Sequence, residues 1–249
     1  MNAPSGKLTS FTVDTGRVQA KIDAARAAGK SAVIGADALE ILTAYGIPAA
    51  CYQVTESERD SAALAKAVGL PVVMKVNTPE ILHKTEIGGV MLDLRTEKEV
   101  RDAFRELRSR VERDRGEIDE FSVAIQQMVT GGIETVMGMT TDPSFGPLIM
   151  FGLGGIYVEI MKDVAFRINP LTNVHARDMI RSLKSYPLLK GYRGAPPVDI
   201  ATVEETLLRL SQLVKDFDDF SEIDINPFIA SPEKDRCKAV DARFIIKEA

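Results

Sequence analysis

Short apolar segments of strand length recur along the whole chain. The segments that connect them change in character near residue 120. Before that point they alternate with helical patterns, of which 97–113 is the clearest because its apolar residues fall on one side of a highly charged segment. After it, 121–129, 133–141 and 147–152 follow one another with little more than turns between them. The pattern predicts an α/β part followed by a sheet-rich part.

The length of 249 residues suits one large domain or two interlocked lobes, since it is more than one average domain and less than two full ones. We expect residues 1–30 to form an N-terminal arm and helix, with residues 1–16 mobile because they are polar and show no pattern. Residues 31–120 are predicted to form the smaller α/β lobe and residues 121–249 the larger, sheet-rich lobe. The predicted fold class is α/β, or α+β, with two lobes.

Composition narrows the range of functions. The net charge of −5 and the absence of Trp argue against a nucleic-acid partner. Cys51 and Cys237 stand in no metal-ligand spacing, and so few thiols suit a reducing compartment. The start of the chain does not resemble a signal peptide, and the longest apolar stretch, 148–158, contains three glycines and is too short to span a bilayer. We therefore expect a cytoplasmic protein with no membrane association.

Lys75 is the first candidate for chemistry, since it interrupts the apolar segment 71–76. A lysine in such a segment either extends its ammonium group to solvent or presents it to a partner. A phosphate oxygen is one such partner, because the ammonium group acts as a point charge. Lys75 alone does not distinguish a solvent-exposed lysine from one that contacts a phosphate.

The loop after Lys75 adds groups that suit a phosphate. It contains His83 and Lys84 and ends at Gly88 and Gly89, where the missing side chains let a backbone approach an anion closely. An imidazole beside a phosphate site can act as a base, a ligand or a phosphoryl acceptor. A solvated histidine without a role is the alternative.

A group of oxygen-bearing side chains lies near the C-terminus. Residues at alternate positions of a strand share a face, so Glu222, Asp224 and Asn226 should point the same way, and Asp241 in the next apolar segment could join them. Oxygen ligands without His or Cys suit Mg²⁺, which takes one or two carboxylates together with phosphate oxygens. A solvated sheet face is the alternative, although Asp241 has the sequence surroundings of a buried residue.

Four further features support weaker predictions. Residues 126–129 end an apolar strand whose backbone amides could contact an adenine, and the glycine-rich FGLGG segment, 151–155, matches neither the Walker A nor the dinucleotide fingerprint. Arg167 is a candidate phosphate contact or a surface strand arginine. His175 opens a polar helix and is predicted to be structural or solvated.

Taken together, these features resemble a known family. LPVVMKVNTPEILHKTEIGGV, DPSFGPLIMFGLGGIYVE and EIDINPF are similar to segments of the β subunit of ADP-forming acyl-CoA synthetases, or acetate–CoA ligases, which are related to succinyl-CoA synthetase. The similarity extends from about residue 30 to residue 246. It implies an ATP-grasp fold whose two lobes enclose a nucleotide.

The resemblance also implies roles for individual residues. His83 would take part in relaying a phosphoryl group, Glu134 would lie close to the nucleotide, and ATP or ADP with Mg²⁺ would be the cofactors. Lys75 would contact the nucleotide phosphates. The adenine pocket would be lined by Gln126, Gln127, Met128 and Val129. Mg²⁺ would be held by Asn226 and Asp241, with Asp224 beside them.

The implied reaction interconverts acyl-CoA, ADP and phosphate with the free acid, CoA and ATP through a phosphohistidine. Since the chain contains no CoA-binding glycine fingerprint, we expect it to act with a CoA-binding α subunit, in an α2β2 heterotetramer. Two alternatives stay open: a nucleotide-sensing module of a larger protein such as an acetyltransferase, and an ATP-grasp ligase of the carboxylate–amine type.

Overall fold

The computed structural model describes residues 6–77, 88–116, 118, 121–155 and 162–247, and it separates into two compact units. The small unit is Ala50–Thr130, and the large unit combines Met1–Ala49 with Gly131–Ala249. The described helices are α1 (Thr15–Ala27), α2 (Gly35–Ala44), α3 (Glu58–Val68), α4 (Glu97–Arg115), α5 (Asn173–Ser182), α6 (Tyr186–Leu189) and α7 (Ile200–Asp216). The described strands are β1 (Ala32–Ile34), β2 (Tyr52–Thr55), β3 (Val72–Val76), β4 (Val90–Leu94), β5 (Val123–Gln127), β6 (Ile133–Asp142), β7 (Gly146–Leu153), β8 (Val164–Ile168), β9 (Phe220–Ala230), β10 (Lys238–Ala239) and β11 (Ala242–Ile246).

The small unit is a four-stranded sheet in the order β2-β5-β3-β4, with every neighbouring pair antiparallel. Helix α4 begins with a capping box in which Thr96 and Glu99 each satisfy the other's backbone N–H. Its apolar side, including Phe104 and Leu107, packs into one core with Met74 and Ile125 of the sheet. The unit is α+β because β5, which follows both helices in the chain, inserts between β2 and β3.

The large unit is built on a seven-stranded sheet in the order β1-β11-β9-β6-β7-β8, with β10 also pairing with β9. All these strand pairs are antiparallel. Helix α2 packs on β1 and β11, and α7 packs on β6, β7 and β9. The side chains beneath them are fully buried, as at Met137, Phe151 and Ile225.

The predicted lobe boundaries at residues 31 and 121 differ from the boundaries of the two units. Residues 31–49 belong to the large unit because β1, which the sequence did not reveal, pairs with β11. Residues 121–130 belong to the small unit because β5 pairs with β2 and β3. Both differences arise from strand pairings between segments that are distant in the chain.

The prediction of a mobile arm is wrong for the part of the arm that the structure describes. The backbone of Lys7 exchanges hydrogen bonds with Asn173, at 2.9 Å and 3.1 Å. The Phe11 N–H donates to Oε1 of Gln212 at 2.8 Å, and Nε2 of Gln212 donates to the Phe11 carbonyl at 3.1 Å. The side-chain amides of Asn173 and Gln212, together with the Asn173 backbone N–H, therefore satisfy backbone polar groups of this segment.

Candidate functional site

One face of the seven-stranded sheet carries a row of oxygen-bearing side chains on β9. Glu222, Asp224 and Asn226 alternate along the strand with Ile223 and Ile225, which are 2% and 0% exposed on the opposite face. The predicted alternation is thus confirmed. The row faces away from the core, and we call it the acidic face.

Asp241 lies beside this row, between β10 and β11. Its backbone carbonyl accepts a hydrogen bond from the Asn226 N–H at 3.1 Å, so the two residues are neighbours across the strand pair. Its Oδ1 accepts the Ala242 N–H at 2.9 Å. The expectation that Asp241 is buried is wrong: it is exposed at a break between two strands, although the residues on either side of it are buried or partly buried.

Arg243 belongs to the acidic face, and the sequence did not reveal it. The register places Arg243 opposite Asp224, and its Nη2 donates to Oε1 of Glu222 at 2.7 Å. The pKa of the Asp224 carboxyl is raised chiefly by burial, and the charges of Glu222 and Asp241 add to the rise while Arg243 opposes it. Three carboxylates and one guanidinium give the acidic face a net negative charge, which favours the binding of a cation.

Glu134 lies on the same side of the sheet as the acidic face. It alternates along β6 with buried Thr135, and Gly138 of the same alternate set pairs with Asp224. The Glu134 carbonyl accepts the Gly154 N–H at 2.7 Å, which holds the end of the glycine-rich segment against β6. A Cβ at Gly154 would lie only 3.1 Å from the Cβ of Glu134, so glycine permits this close approach.

Arg167 does not join these residues. On β8 it pairs with Ile149, which is fully buried on the core side of the sheet, while Phe166 and Ile168 point to the side of the acidic face. Its Nη1 donates to the Phe166 carbonyl at 2.8 Å. The structure therefore places Arg167 away from the acidic row.

His175 has a structural role, as predicted. The Thr172 N–H donates to Nδ1 of His175 at 3.3 Å, and the His175 N–H donates to Oγ1 of Thr172 at 3.2 Å. This reciprocal pair caps the N-terminus of α5.

The small unit carries Lys75 and the segment 126–129. Lys75 is partly buried on β3, opposite Ala124 and Val90, and it points to the face of the sheet that α4 does not cover, since Met74 and Val76 fill the core side.

Within 126–129, Gln126 is fully buried, while Gln127, Met128 and Val129 are partly buried. The Gln127 N–H donates to the Cys51 carbonyl at 2.9 Å, and the Met128 N–H donates to the Pro71 carbonyl at 3.2 Å. These two amides thus already have acceptors within the small unit.

His83 and Lys84 lie outside the described residues. Within the described ranges there is no group of three or more His, Cys, Asp or Glu side chains placed to hold a metal ion. In the same part of the chain, no helix combines the length and the apolar character needed to cross a membrane.

The chain matches a known protein family over nearly its whole length. A family model described as the ATP-grasp domain matches residues 24–246, nearly the whole chain. The chain is 41% identical over 210 residues to the β subunit of ADP-forming acetate–CoA ligase I from Pyrococcus furiosus, covering 84% of this chain and 90% of the relative. Over 239 residues it is 38% identical to ADP-forming 4-hydroxybutyrate–CoA ligase from Nitrosopumilus maritimus, covering 96% of this chain.

A solved structure gives the same result. Acetyl-coenzyme A synthetase 1 from Ca. Korarchaeum cryptofilum, in complex with coenzyme A and Ca-AMPCP, superimposes with a TM-score of 0.85 and 37% identity, covering 92% of this chain and 99% of that chain. The fold thus defines the class of ATP-grasp proteins. The chain belongs to the family of β-type ATP-grasp domains of ADP-forming acyl-CoA synthetases. It spans 34% of the length of the Nitrosopumilus ligase, about a third.

Proposed function

We propose that this chain is the nucleotide-binding β component of an ADP-forming acyl-CoA synthetase, which interconverts acyl-CoA, ADP and phosphate with a carboxylate, CoA and ATP. The observation that carries the proposal is the acidic face, where Asp224, Asn226 and Asp241 lie at neighbouring positions of paired strands in a domain of this family. The relatives reported above are named as ADP-forming CoA ligases, and the proposed reaction follows that class. The two free thiols, Cys51 and Cys237, fit a cytoplasmic location.

The acidic face fits Mg²⁺ in its donor chemistry. Asn226 and Asp241 present oxygen donors from neighbouring positions, and Asp224 adds a partly buried carboxylate. Mg²⁺ sites typically use one or two carboxylates and complete their coordination with water and substrate phosphates. When bound, Mg²⁺ would neutralise charge on phosphate oxygens. A related Ca. Korarchaeum structure contains coenzyme A with Mg-AMPPCP, which supports the choice of metal.

The protein's own groups have distinct tasks in this proposal. Asn226 and Asp241 would hold Mg²⁺, which would neutralise charge at the phosphate end of the nucleotide, and Arg243 holds the Glu222 side chain in place beside them. Lys75 offers a positive charge from a rigid strand of the small unit, which would offset charge that develops on the transferred phosphoryl group.

The phosphoryl group would reach ADP by a histidine relay that involves a partner. An acyl phosphate formed on a CoA-binding α subunit would pass its phosphoryl group to a histidine: the O–P bond breaks, a P–N bond forms, and the carboxylate leaves. His83 of this chain would take part in the relay, and attack by the ADP β-phosphate oxygen would break the P–N bond and give ATP. The name of one Ca. Korarchaeum structure mentions a phosphohistidine segment pointing towards the nucleotide site, which favours this route.

The test combines the purified chain with the CoA-binding α component from the same genome and measures ATP formation from acetyl-CoA, ADP and phosphate. We expect ATP only when both proteins and all three substrates are present. His83→Gln should abolish turnover yet leave Mg-ADP binding unchanged. Full activity of His83→Gln would refute the relay role of that residue, and ligation of an amine by the chain alone would refute the reaction class.

A further inference from the structure

Arg243 is the one positively charged side chain among the described residues of the acidic face. It lies directly opposite Asp224 in the pairing of β9 with β11, and its Nη2 donates to Oε1 of Glu222 at 2.7 Å. On its other side it pairs with Ile34 of β1, an apolar residue that is 55% exposed. Among the residues that the structure describes, Glu222 is therefore the one hydrogen-bond partner of the guanidinium group.

The ion pair between Arg243 and Glu222 is weak enough to open for a ligand. The two side chains are 52% and 47% exposed, and ion pairs between exposed side chains contribute little to stability because water screens them. A guanidinium group has five N–H donors in a planar fork, of which the bond to Glu222 uses one. Arg243 can therefore bind an anion with its remaining donors, with or without release of Glu222.

Arg243 lies one step along the sheet from the residues that would hold Mg²⁺. Asn226 and Asp241 form one level of the acidic face, and Asp224 and Arg243 form the next level, two residues further along each strand. A step of two residues along a strand is about 7 Å. The Arg243 side chain therefore begins within reach of a polyphosphate chain that passes Asn226 and Asp241.

Charge determines the direction in which such a polyphosphate chain runs. In the direction away from Arg243, the sheet presents the carboxylate of Glu134, beside a pocket in which no other described lining residue is charged. A terminal phosphate at that end would meet a carboxylate with no cation to offset the repulsion. At the other end the guanidinium group offsets the charge of Asp224 and matches phosphate oxygens in its geometry. The terminal phosphate is therefore favoured at Arg243.

We propose that Arg243 is a catalytic residue that contacts the terminal phosphoryl group of the nucleotide, and that Glu222 holds its side chain in place while the site is empty. The proposal rests on the proposed function, since it assumes that the phosphates of a nucleotide occupy the acidic face. It adds to that face a positive charge that belongs to the large unit itself.

The transfer step explains why a positive charge is useful at this position. In ATP formation the bond between phosphorus and the histidine nitrogen breaks, its electron pair returns to the nitrogen, and an oxygen of the ADP β-phosphate bonds to phosphorus. The peripheral oxygens of the moving group carry negative charge during this step. Arg243 neutralises part of that charge and keeps its own protons, because a guanidinium group is not deprotonated in proteins.

The experiment measures binding of Mg-ADP and of Mg-AMPPCP to the full chain by calorimetry. AMPPCP has a terminal phosphate that a methylene bridge makes non-transferable, so it reports contact with that phosphate without turnover. Arg243→Gln should weaken AMPPCP binding by about tenfold or more, the usual effect of losing a charge-assisted hydrogen bond, and keep ADP binding within about threefold of the wild type. Arg243→Lys keeps the charge and should lose less AMPPCP affinity than Arg243→Gln.

Two further variants separate a contact with phosphate from a structural role. Glu222→Gln removes the ion pair and leaves the guanidinium group, so AMPPCP binding should stay at the wild-type level or become tighter. Arg236→Gln is the matched control, because Arg236 is 50% exposed and pairs with Glu233 at 3.6 Å in the turn before β10, and it should bind both ligands as the wild type does. With the CoA-binding partner present, Arg243→Gln should lower kcat for ATP formation while KM for ADP stays within about threefold of the wild type.

The outcomes distinguish the role of Arg243 from the proposed function. Wild-type AMPPCP affinity in Arg243→Gln, or an equal loss of ADP and AMPPCP affinity, would overturn the role of Arg243 and leave the proposed function standing. A loss in Glu222→Gln as large as that in Arg243→Gln would also overturn it, because Arg243 would then serve only to hold Glu222. A wild-type chain that binds neither ligand would overturn the proposed function itself.

Discussion

Gly138 sets the register that brings Asp224 into the acidic face, and Gly138→Ala tests that register. Gly138 pairs with Asp224, and a Cβ there would collide with the backbone carbonyl oxygen of Ile223. Backbone cannot move aside as a flexible side chain can, so β6 and β9 would have to separate locally. Loss of one or two ladder hydrogen bonds, at about 1 kcal/mol each, plus overpacking of about 1–3 kcal/mol, gives a destabilisation of about 2–5 kcal/mol.

Urea unfolding followed by circular dichroism measures this change. For a protein of this size it corresponds to a fall in Tm of roughly 2–4 °C per kcal/mol. The matched control is Gly16→Ala in α1, where the nearest heavy atom lies 3.6 Å from the new Cβ. Alanine in a helix should leave stability unchanged or raise it by up to about 1 kcal/mol. An unfolding free energy of Gly138→Ala within about 0.5 kcal/mol of the wild type would refute the reasoning.

Three further predictions concern the large unit. Burial alone would raise the pKa of Asp163, but the hydrogen bonds from Ser185 and from the Lys184 backbone outweigh it, so the pKa is lowered. Its ionised form therefore contributes stability above the unfolded value of about 3.8, and this contribution is lost as the pH falls through the lower folded pKa. Acid titrations of unfolding should therefore show a steeper loss below pH 4 for the wild type than for Asp163→Asn, and parallel curves would contradict this. Tyr45→Phe removes the fully buried hydroxyl that donates to Oδ2 of Asp216 at 2.9 Å and should lower the unfolding free energy by about 1–2 kcal/mol, whereas an unchanged urea midpoint would argue against that bond. Gln212→Ala removes both hydrogen bonds to the Phe11 backbone, so hydrogen exchange of that amide should become faster, and unchanged protection would show that the arm is held by other contacts.

The sequence predicted local features of the site well, because strand alternation is a local property. The row Glu222, Asp224 and Asn226 follows from the two-residue period of β9 and from the isoleucines between its members. The apolar side of α4 follows from helical spacing in the same way.

Features that depend on pairing between distant segments were missed. Arg243 faces Asp224 only through the register of β9 and β11, which the sequence of neither strand determines. Arg167 lies on the core side of β8, whereas Phe166 and Ile168 lie on the open side and are 42% and 52% exposed. Hydrophobicity alone therefore predicts the two faces of this strand incorrectly. Asp241 has buried or partly buried residues on both sides, yet it lies at a break between two strands and is exposed.

The large unit contains a pocket of about 420 Å³ lined by Glu134, Leu188 and Tyr192, and it was missed for a related reason. Leu188 and Tyr192 lie more than fifty residues after Glu134 in the chain, and the structure brings them together at the pocket. The signal available in the sequence was the pair Gly191 and Gly194 around Tyr192, and both glycines have φ of about +90. Such a spacing indicates a tight loop, but it does not indicate what the loop faces.

Calorimetric titration of the full chain with ADP tests most directly whether the acidic face binds the phosphate end of a nucleotide through Mg²⁺. We expect binding that depends on Mg²⁺ and that weakens by about tenfold or more in Asp241→Asn, which keeps an oxygen acceptor for the Ala242 N–H but removes the charge. Asp235→Asn, at an exposed position in the turn before β10, should bind as the wild type does. Equal affinity with and without Mg²⁺, or wild-type affinity in Asp241→Asn, would contradict the account.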